Sequence, residues 1–367
     1  MKKVARFLIG NVLSLTLVFF AAGCKEKKAG IPTVNLGTSN TSSIYNPSIQ
    51  IANEEEFFEK HNVKVKYIPL DRDGQFEALA TGKLDATYAN VIPQLSMGAQ
   101  GTDITAFAGT QGNGMIVVAR PEVADRLKDL NNWKGITIAV QHTTTVELIA
   151  RYALGHKYGY EIGKDIVFKS FPDYPTAITA VVKKNADVTL TSPQYRDSAI
   201  SQGLVFLFPS TKFEPDYVCC RQFANGQDFR NNCDKYKQYI KAQLYGYKIL
   251  TTDRKKAVDT LVKASGQTAE YVDRYFYNTD FNGERTYKPD PNYNGSLILY
   301  STMEELGIID GKRALSDFFD IKVYAEALGE VIKENPDDSF FEELWDFFLT
   351  HNDKHPDFAE AKKLGRR

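Results

Sequence analysis

The sequence predicts an α/β protein of two lobes followed by a helical tail. Three observations carry that reading. Two β-α-β units with the same wiring lie about 100 residues apart. From Cys233 onward, apolar residues recur mainly at helical spacing. The one stretch apolar enough to concern a membrane sits at the N-terminus, ahead of everything that reads as a fold.

Composition limits the function classes. The chain has 367 residues, 43% hydrophobic and 25% charged, which excludes wholesale disorder and favours two domains. Lys+Arg (45) and Asp+Glu (46) cancel to a net charge of −1, so no basic excess points to nucleic acid. With a single N-terminal apolar stretch, a multi-span membrane protein is excluded.

The elements follow in order. Thr33–Gly37 reads as a buried strand, followed by the hydroxyl-rich Ser39–Ser43. Ile44, Ile51 and Phe58 give a helix stripe. Val63, Val65 and Tyr67 alternate with lysines, as a strand does. A short helix ends at Gly82, where a C-terminal cap belongs. Leu84–Tyr88 is a strand, Val91–Met97 a helix and Ile104–Phe107 a strand. The rhythm then returns: strand Ile136–Val140, helix Thr145–Leu154, strand Ile166–Lys169, helix Tyr174–Lys184, strand Val188–Leu190, helix Pro193–Gln202 and strand Leu204–Phe208. The halves share local text. Asp85-Ala-Thr-Tyr precedes Pro93 as Asp187-Val-Thr-Leu precedes Pro193. In the tail, the stripes Tyr236/Tyr239/Ile240/Leu244 and Phe340/Leu344/Phe348 are read as helices packing on the first lobe.

The N-terminus names the compartment. Lys2, Lys3 and Arg6 precede an apolar core, then Ala21-Ala22-Gly23 supplies small residues before Cys24. That order is an export signal, and a cysteine directly after it resembles a bacterial lipoprotein box. The resemblance implies cleavage after residue 23, acylation of Cys24 and a polar tether over 24–30. The protein is then expected to be extracytoplasmic, lipid-anchored at a membrane surface and monomeric.

Three motifs come in a known order. They are Gly82-Lys-Leu-Asp85-Ala with Pro93, Leu130-Asn-Asn-Trp-Lys-Gly135-Ile-Thr-Ile-Ala139-Val, and Ala186-Asp187-Val with Pro193. Together they resemble the nitrate/sulfonate/bicarbonate-type substrate-binding proteins of ABC transporters, over roughly Thr33 to Phe223. The resemblance implies a type II periplasmic-binding-protein fold with ligand in the cleft between lobes. It puts lobe I at 31–114 plus 211–367, with the helical tail packed on it, and lobe II at 115–210. Crossover hinges are expected near Met115–Ala119 and Asp216–Arg221.

In open α/β sheets ligands sit beyond the carboxyl ends of the strands. The loops there supply the candidate ligand residues Ser39, Thr41, Ser42, Tyr45, Tyr88, Asn90, Thr110, Gly112, Gly114, His142, Thr143, Thr144, Thr145, Asp173, Tyr174, Ser192 and Tyr195. Gly109-Thr-Gln-Gly112-Asn-Gly114 reads as a flexible loop that lets backbone approach a ligand. His142-Thr-Thr-Thr145 opens a helix, whose unpaired N–H groups and hydroxyls suit an anion, although one threonine could simply cap the helix.

Enzyme motifs are missing: no H-E-x-x-H, no P-loop and no G-x-S-x-G. No cofactor or metal site is expected. His351 and His355 have chelating spacing, but Pro356 and their polar setting predict an exposed tail. Cys219, Cys220 and Cys233 remain after Cys24, and outside the cytoplasm a disulfide from Cys233 to one of the pair is expected. Adjacent strand residues face opposite ways, so at most one of the pair should point at it. The expected function is capture of a small organic anion for an ABC permease. Alternatives are the same fold binding a thiamine-type pyrimidine precursor or another aromatic solute and, remotely, an enzyme similar to the pyrimidine synthases that share the fold.

Overall fold

Among the described residues, ten strands form two five-stranded sheets of the same design. The computed structural model describes residues 30–38 and 46–366. The strands are β1 (Thr33–Thr38), β2 (Lys64–Pro69), β3 (Ala86–Asn90), β4 (Ile104–Gly112), β5 (Ile116–Ala119), β6 (Ile136–Gln141), β7 (Ile166–Phe171), β8 (Val188–Thr191), β9 (Val205–Pro209) and β10 (Val218–Asn225). One sheet has the order β2-β1-β3-β10-β4, the other β7-β6-β8-β5-β9. In the first, β1 is parallel to β2 and β3, while β10 runs antiparallel to β3 and β4. In the second, β6 is parallel to β7 and β8, while β5 runs antiparallel to β8 and β9.

The repeated text has a physical cause. Asp85 stands just before β3, and its carboxylate accepts the backbone N–H of Asn35 at 2.7 Å. Asp187 stands just before β8, and its carboxylate accepts the N–H of Thr137 at 2.8 Å. Each aspartate so pins the start of the parallel strand fifty positions earlier in the chain. A carboxylate that accepts a backbone N–H makes a charge-assisted bond, stronger than a neutral one.

The chain passes between the sheets twice, over 113–115 and over 210–217. These links lie side by side: Asn113 donates to the Tyr217 carbonyl at 3.0 Å, and Ser210 donates to the Met115 carbonyl at 2.9 Å. Each sheet therefore receives as its antiparallel strand (β5 or β10) the segment that has just crossed.

The expected glycine-rich loop is corrected. Strand β4 does not stop at Phe107 but continues to Gly112. The backbone that approaches its glycines belongs to the tail of the same chain. Gly109 N–H donates to the Pro289 carbonyl at 2.6 Å, and Gly112 exchanges two 3.0 Å bonds with Thr286. A Cβ on Gly109 would stand 2.2 Å from the Asp290 carbonyl oxygen. The glycines make room for a strap, residues 283–292, that lies along the end of β4.

The tail packs mainly on the first sheet. Helix Cys233–Thr252 lies against helix Pro47–Glu54, and its Tyr236 meets Phe107 of β4 edge-on at 5.1 Å. Helix Tyr293–Glu305 also reaches helix Thr145–Tyr152 beside the second sheet. His355 is not in an exposed tail. It is buried against Tyr293, and its Nε2 lies 3.0 Å from the Phe319 carbonyl. Helix Phe358–Gly365 continues the chain beyond it, packing on helix Lys322–Glu334.

Candidate functional site

The carboxyl ends of β1, β3, β6, β7 and β8 carry the loops that were expected to meet a ligand, and the two crossings run beside them. Ser39, Thr41, Ser42 and Tyr45 lie outside the described residues. The Tyr88 hydroxyl is 2.9 Å from that of Thr38, at the ends of β3 and β1. Thr145 is buried, and its helix packs against β10, the strand that carries Cys219, so a helix of one sheet touches a strand of the other. Tyr174 and Tyr195 face each other with ring centroids 5.8 Å apart. Tyr174 lies close enough to Cys219, Cys220 and Arg285 to feel their charges, and burial raises its hydroxyl above the ordinary range.

Other expected residues hold local structure. Asn90 accepts from Ile92 N–H at 3.0 Å and caps helix Val91–Ala99. Asp173 accepts from Thr176 N–H at 2.7 Å and caps helix Tyr174–Val182. Thr144 caps helix Thr145–Tyr152 by accepting from Glu147 N–H. Thr143 adopts a left-handed backbone (φ 56°), and its N–H donates to the buried Glu147 carboxylate at 2.9 Å. His142 is exposed, with Nδ1 3.4 Å from Ser170 Oγ. The Ser192 carbonyl accepts the Tyr195 N–H at 3.0 Å. Thr110 is buried within β4, while Gly112 and Gly114 lie against the strap.

Two features escaped the sequence. The first is Arg285 on the strap. Its guanidinium donates to the Gly114 carbonyl at 3.1 Å and to the Tyr275 hydroxyl. Among the described residues no carboxylate forms an ion pair with it. Burial disfavours its charge, but Tyr287, Tyr275 and the Cys219 sulfur outweigh that and hold it firmly protonated. A cavity of roughly 270 Å³ opens beside it, lined by Tyr247, Phe276, Tyr277 and Tyr287 among others.

The second is the Cys219–Cys220 pair. The expected disulfide to Cys233 is not formed, and all three thiols are free. From Cys220 to the end of β10 the strand rises about 16 Å at its usual spacing. Helix Gly226–Asn231 then intervenes before Cys233, whose thiol donates to the Phe229 carbonyl at 3.1 Å. The rule that neighbours face opposite ways also fails here. The ladder to β4 slips on both sides of Cys220, so β10 bulges and the two sulfurs come within 3.7 Å.

Among the described residues, no three His, Cys, Asp or Glu side chains come together to hold a metal ion, and no helix is long and apolar enough to cross a membrane.

Residues 54–266, well over half of the chain, match the family model described as ABC transporter, phosphonate, periplasmic substrate-binding protein. The chain belongs to this family. No curated protein matches it in sequence. Among solved structures, the periplasmic sulfonate-binding protein from Methylobacillus flagellatus KT aligns with a TM-score of 0.65 at 16% identity, over 83% of this chain and 96% of that one. The periplasmic nitrate-binding protein from Synechocystis PCC 6803 gives 0.59 at 14% identity, over 85% and 91%. The desulfurization enzyme DSZB gives 0.54 at 12% identity, over 82% and 99%. At these identities the likeness is one of fold, that of the periplasmic binding proteins. Family membership makes the chain an extracytoplasmic solute-binding component of an ABC transport system.

In this binding protein a charge cluster ties the return crossing to the tail. Asp216 lies in that crossing, with its carboxylate 3.4 Å from Lys288 Nζ on the strap and 3.8 Å from His351 Nε2. His351 holds the Asp216 carboxyl below its usual range, against burial and with help from Lys288. Burial alone would lower the His351 imidazole, but Asp216 and the Phe347 carbonyl raise it. The signs differ. The histidine's contribution is complete below its unfolded pKa and fades as pH rises through the folded one. The aspartate's is complete above its unfolded pKa and fades as pH falls through the folded one. The pair therefore stabilises fully only between about pH 4 and 6.5. Urea midpoints measured near pH 6 and pH 8 should fall further for the wild type than for His351→Gln. Equal falls would show that the pair does not couple the crossing to the tail.

Proposed function

We propose that this chain is a lipid-anchored solute receptor that captures a small organic anion between two lobes and passes it to an ABC permease. Lobe I would be 31–114 with 211–367, lobe II 115–210, and the anchor acylated Cys24. Capture, not catalysis, is the role. The observation that supports the reading is Arg285: a half-buried guanidinium without a carboxylate partner among the described residues, held against the crossing at Gly114 and near Tyr174 and Cys219. A partly buried charge without a carboxylate partner is costly, and a small anion would offset part of that cost. Sulfonates, phosphonates and nitrate fit the charge, and the Tyr174–Tyr195 rings suit an organic substituent.

Those rings also favour a second reading, an aromatic solute such as a pyrimidine precursor. A thermal-shift panel separates the two. Sulfonates, phosphonates, nitrate, bicarbonate, carboxylates and pyrimidines are each added in excess. A ligand at 100 times its Kd adds about 2.7 kcal/mol of apparent stability. Shifts confined to anions support the first reading. Shifts confined to neutral rings overturn it in favour of the second.

A further inference from the structure

Neighbouring cysteines in a regular strand point to opposite faces of the sheet. In β10 the bulge removes that separation. Cys220 keeps its ladder partners Asn90 and Gln111, Cys219 is the extra residue, and the Cys220 thiol donates to the Cys219 sulfur at 3.7 Å. Both residues are partly exposed. The rest of β10 and helix Gly226–Asn231 separate the pair from Cys233, and Cys219 lies near the Arg285 on which the solute reading rests.

The three thiols are chemically unequal. The Cys220 hydrogen bond, against burial, lowers Cys219 to about 6, with Arg285, Thr145 and Arg221 assisting. Burial and the Asp320 carboxylate raise Cys233 above the ordinary thiol range. The shift favours the thiolate, the form that attacks disulfides, at Cys219 and the thiol at Cys233. The family places the chain outside the cytoplasm, where disulfide oxidants prevail.

We propose that Cys219 and Cys220 are a redox-active dithiol that closes reversibly to a disulfide between adjacent residues, with small-molecule or protein disulfides as oxidants. The Cys219 thiolate attacks one sulfur of the oxidant. A mixed disulfide forms, and the departing sulfur takes up a proton. Cys220 then loses its proton, and its sulfur displaces the second half of the oxidant from Cys219. The oxidant takes up two electrons from the pair and two protons, one from Cys220 and one from solvent, and leaves as two thiols.

The full chain is reduced, freed of reductant, exposed to oxidised glutathione, quenched in acid, alkylated and mapped by peptide mass. The tryptic peptide Phe213–Arg221 holds both residues and is resolved from the peptides that carry Cys24 and Cys233. It should lose two hydrogens and both alkylation sites, while Cys233 remains alkylatable. In Cys220→Ser, which lacks the resolving sulfur, glutathione should stay on Cys219. Before oxidation, Cys219 should alkylate several-fold faster than Cys233 at neutral pH. A wild-type Phe213–Arg221 peptide that still takes two alkyl groups after oxidant treatment overturns the proposal. So does preferential modification of Cys233. The wild-type arm needs neither a variant nor a solute, so its failure leaves the transport reading untouched, and a silent thermal-shift panel leaves the dithiol untouched.

Discussion

Arg221→Met should lower the unfolding free energy by about 3–5 kcal/mol, the usual cost of removing one member of a buried charged network. Arg221 is 3% exposed. Its Nε donates to the Pro291 carbonyl at 2.7 Å, and one terminal nitrogen donates to the carbonyls of Gln111 at 3.1 Å and Cys220 at 2.7 Å. Methionine fills much of the volume but satisfies none of these acceptors. It also strips the buried Asp290 carboxylate of its nearby cation. One Asp290 oxygen keeps its bonds from Asn292 N–H and Asn352 Nδ2, while the other has no hydrogen-bond partner. Burial already raises Asp290, and Arg221 is among the groups that resist that rise. Urea unfolding with an unchanged m-value reports the loss directly. Adding Asp290→Asn should recover part of it, because the uncompensated charge is then gone. A single-variant loss below about 1 kcal/mol would mean that the network contributes little.

Arg221 also shows where sequence reading stops. The two halves were legible because each repeats a local rule: an aspartate before a strand and a helix start after it. Asp85 and Asp187 turned out to bond equivalent backbone positions, Asn35 and Thr137. Most strands could be read from apolar runs, and Asn90, Thr144 and Asp173 have the side chains that cap helices. What failed depends on contacts made far along the chain. Gly109–Gly114 looks like a loop because glycine carries no hydropathy pattern, yet its Gly109 and Gly112 pair with residues more than 170 positions later. Arg285 sits in an irregular, polar stretch with nothing local to set it apart. His355 looked exposed because its neighbours are polar, and only the fold shows that Tyr293 and Phe319 cover it. The cysteine pair was misread by a rule that holds for regular strands and not at a bulge. The signal that could have found it was a Cys-Cys pair inside a segment already expected to cross between lobes.

Single substitutions across Thr143–Thr145 should have unequal effects, because the structure gives these threonines different tasks. The helix that starts at Thr145 brings its own acid: the Glu147 carboxylate accepts from Thr143 N–H at 2.9 Å and holds Arg151 at 2.9 Å. The N–H of Thr143 is therefore already neutralised from within. Thr144 is committed as the cap, accepting from Glu147 N–H and donating to the Gln141 carbonyl at 3.2 Å. Thr144→Ala should cost about 1 kcal/mol of stability and spare affinity. Thr145 differs: it is buried on a helix that packs against β10, a strand of the other sheet. As the first helical residue it also has a backbone N–H without an acceptor inside the helix. A ligand anion lodged there would take a hydrogen bond from the Thr145 hydroxyl. Thr145→Val keeps the shape and removes the bond, so binding should weaken by about 1.5–3 kcal/mol, more than tenfold in Kd. Melting and titration are run on both variants with whichever anion gives the largest thermal shift. Wild-type affinity in Thr145→Val, together with weakened binding in Thr144→Ala, would move the anion away from the crossing strand and onto the cap.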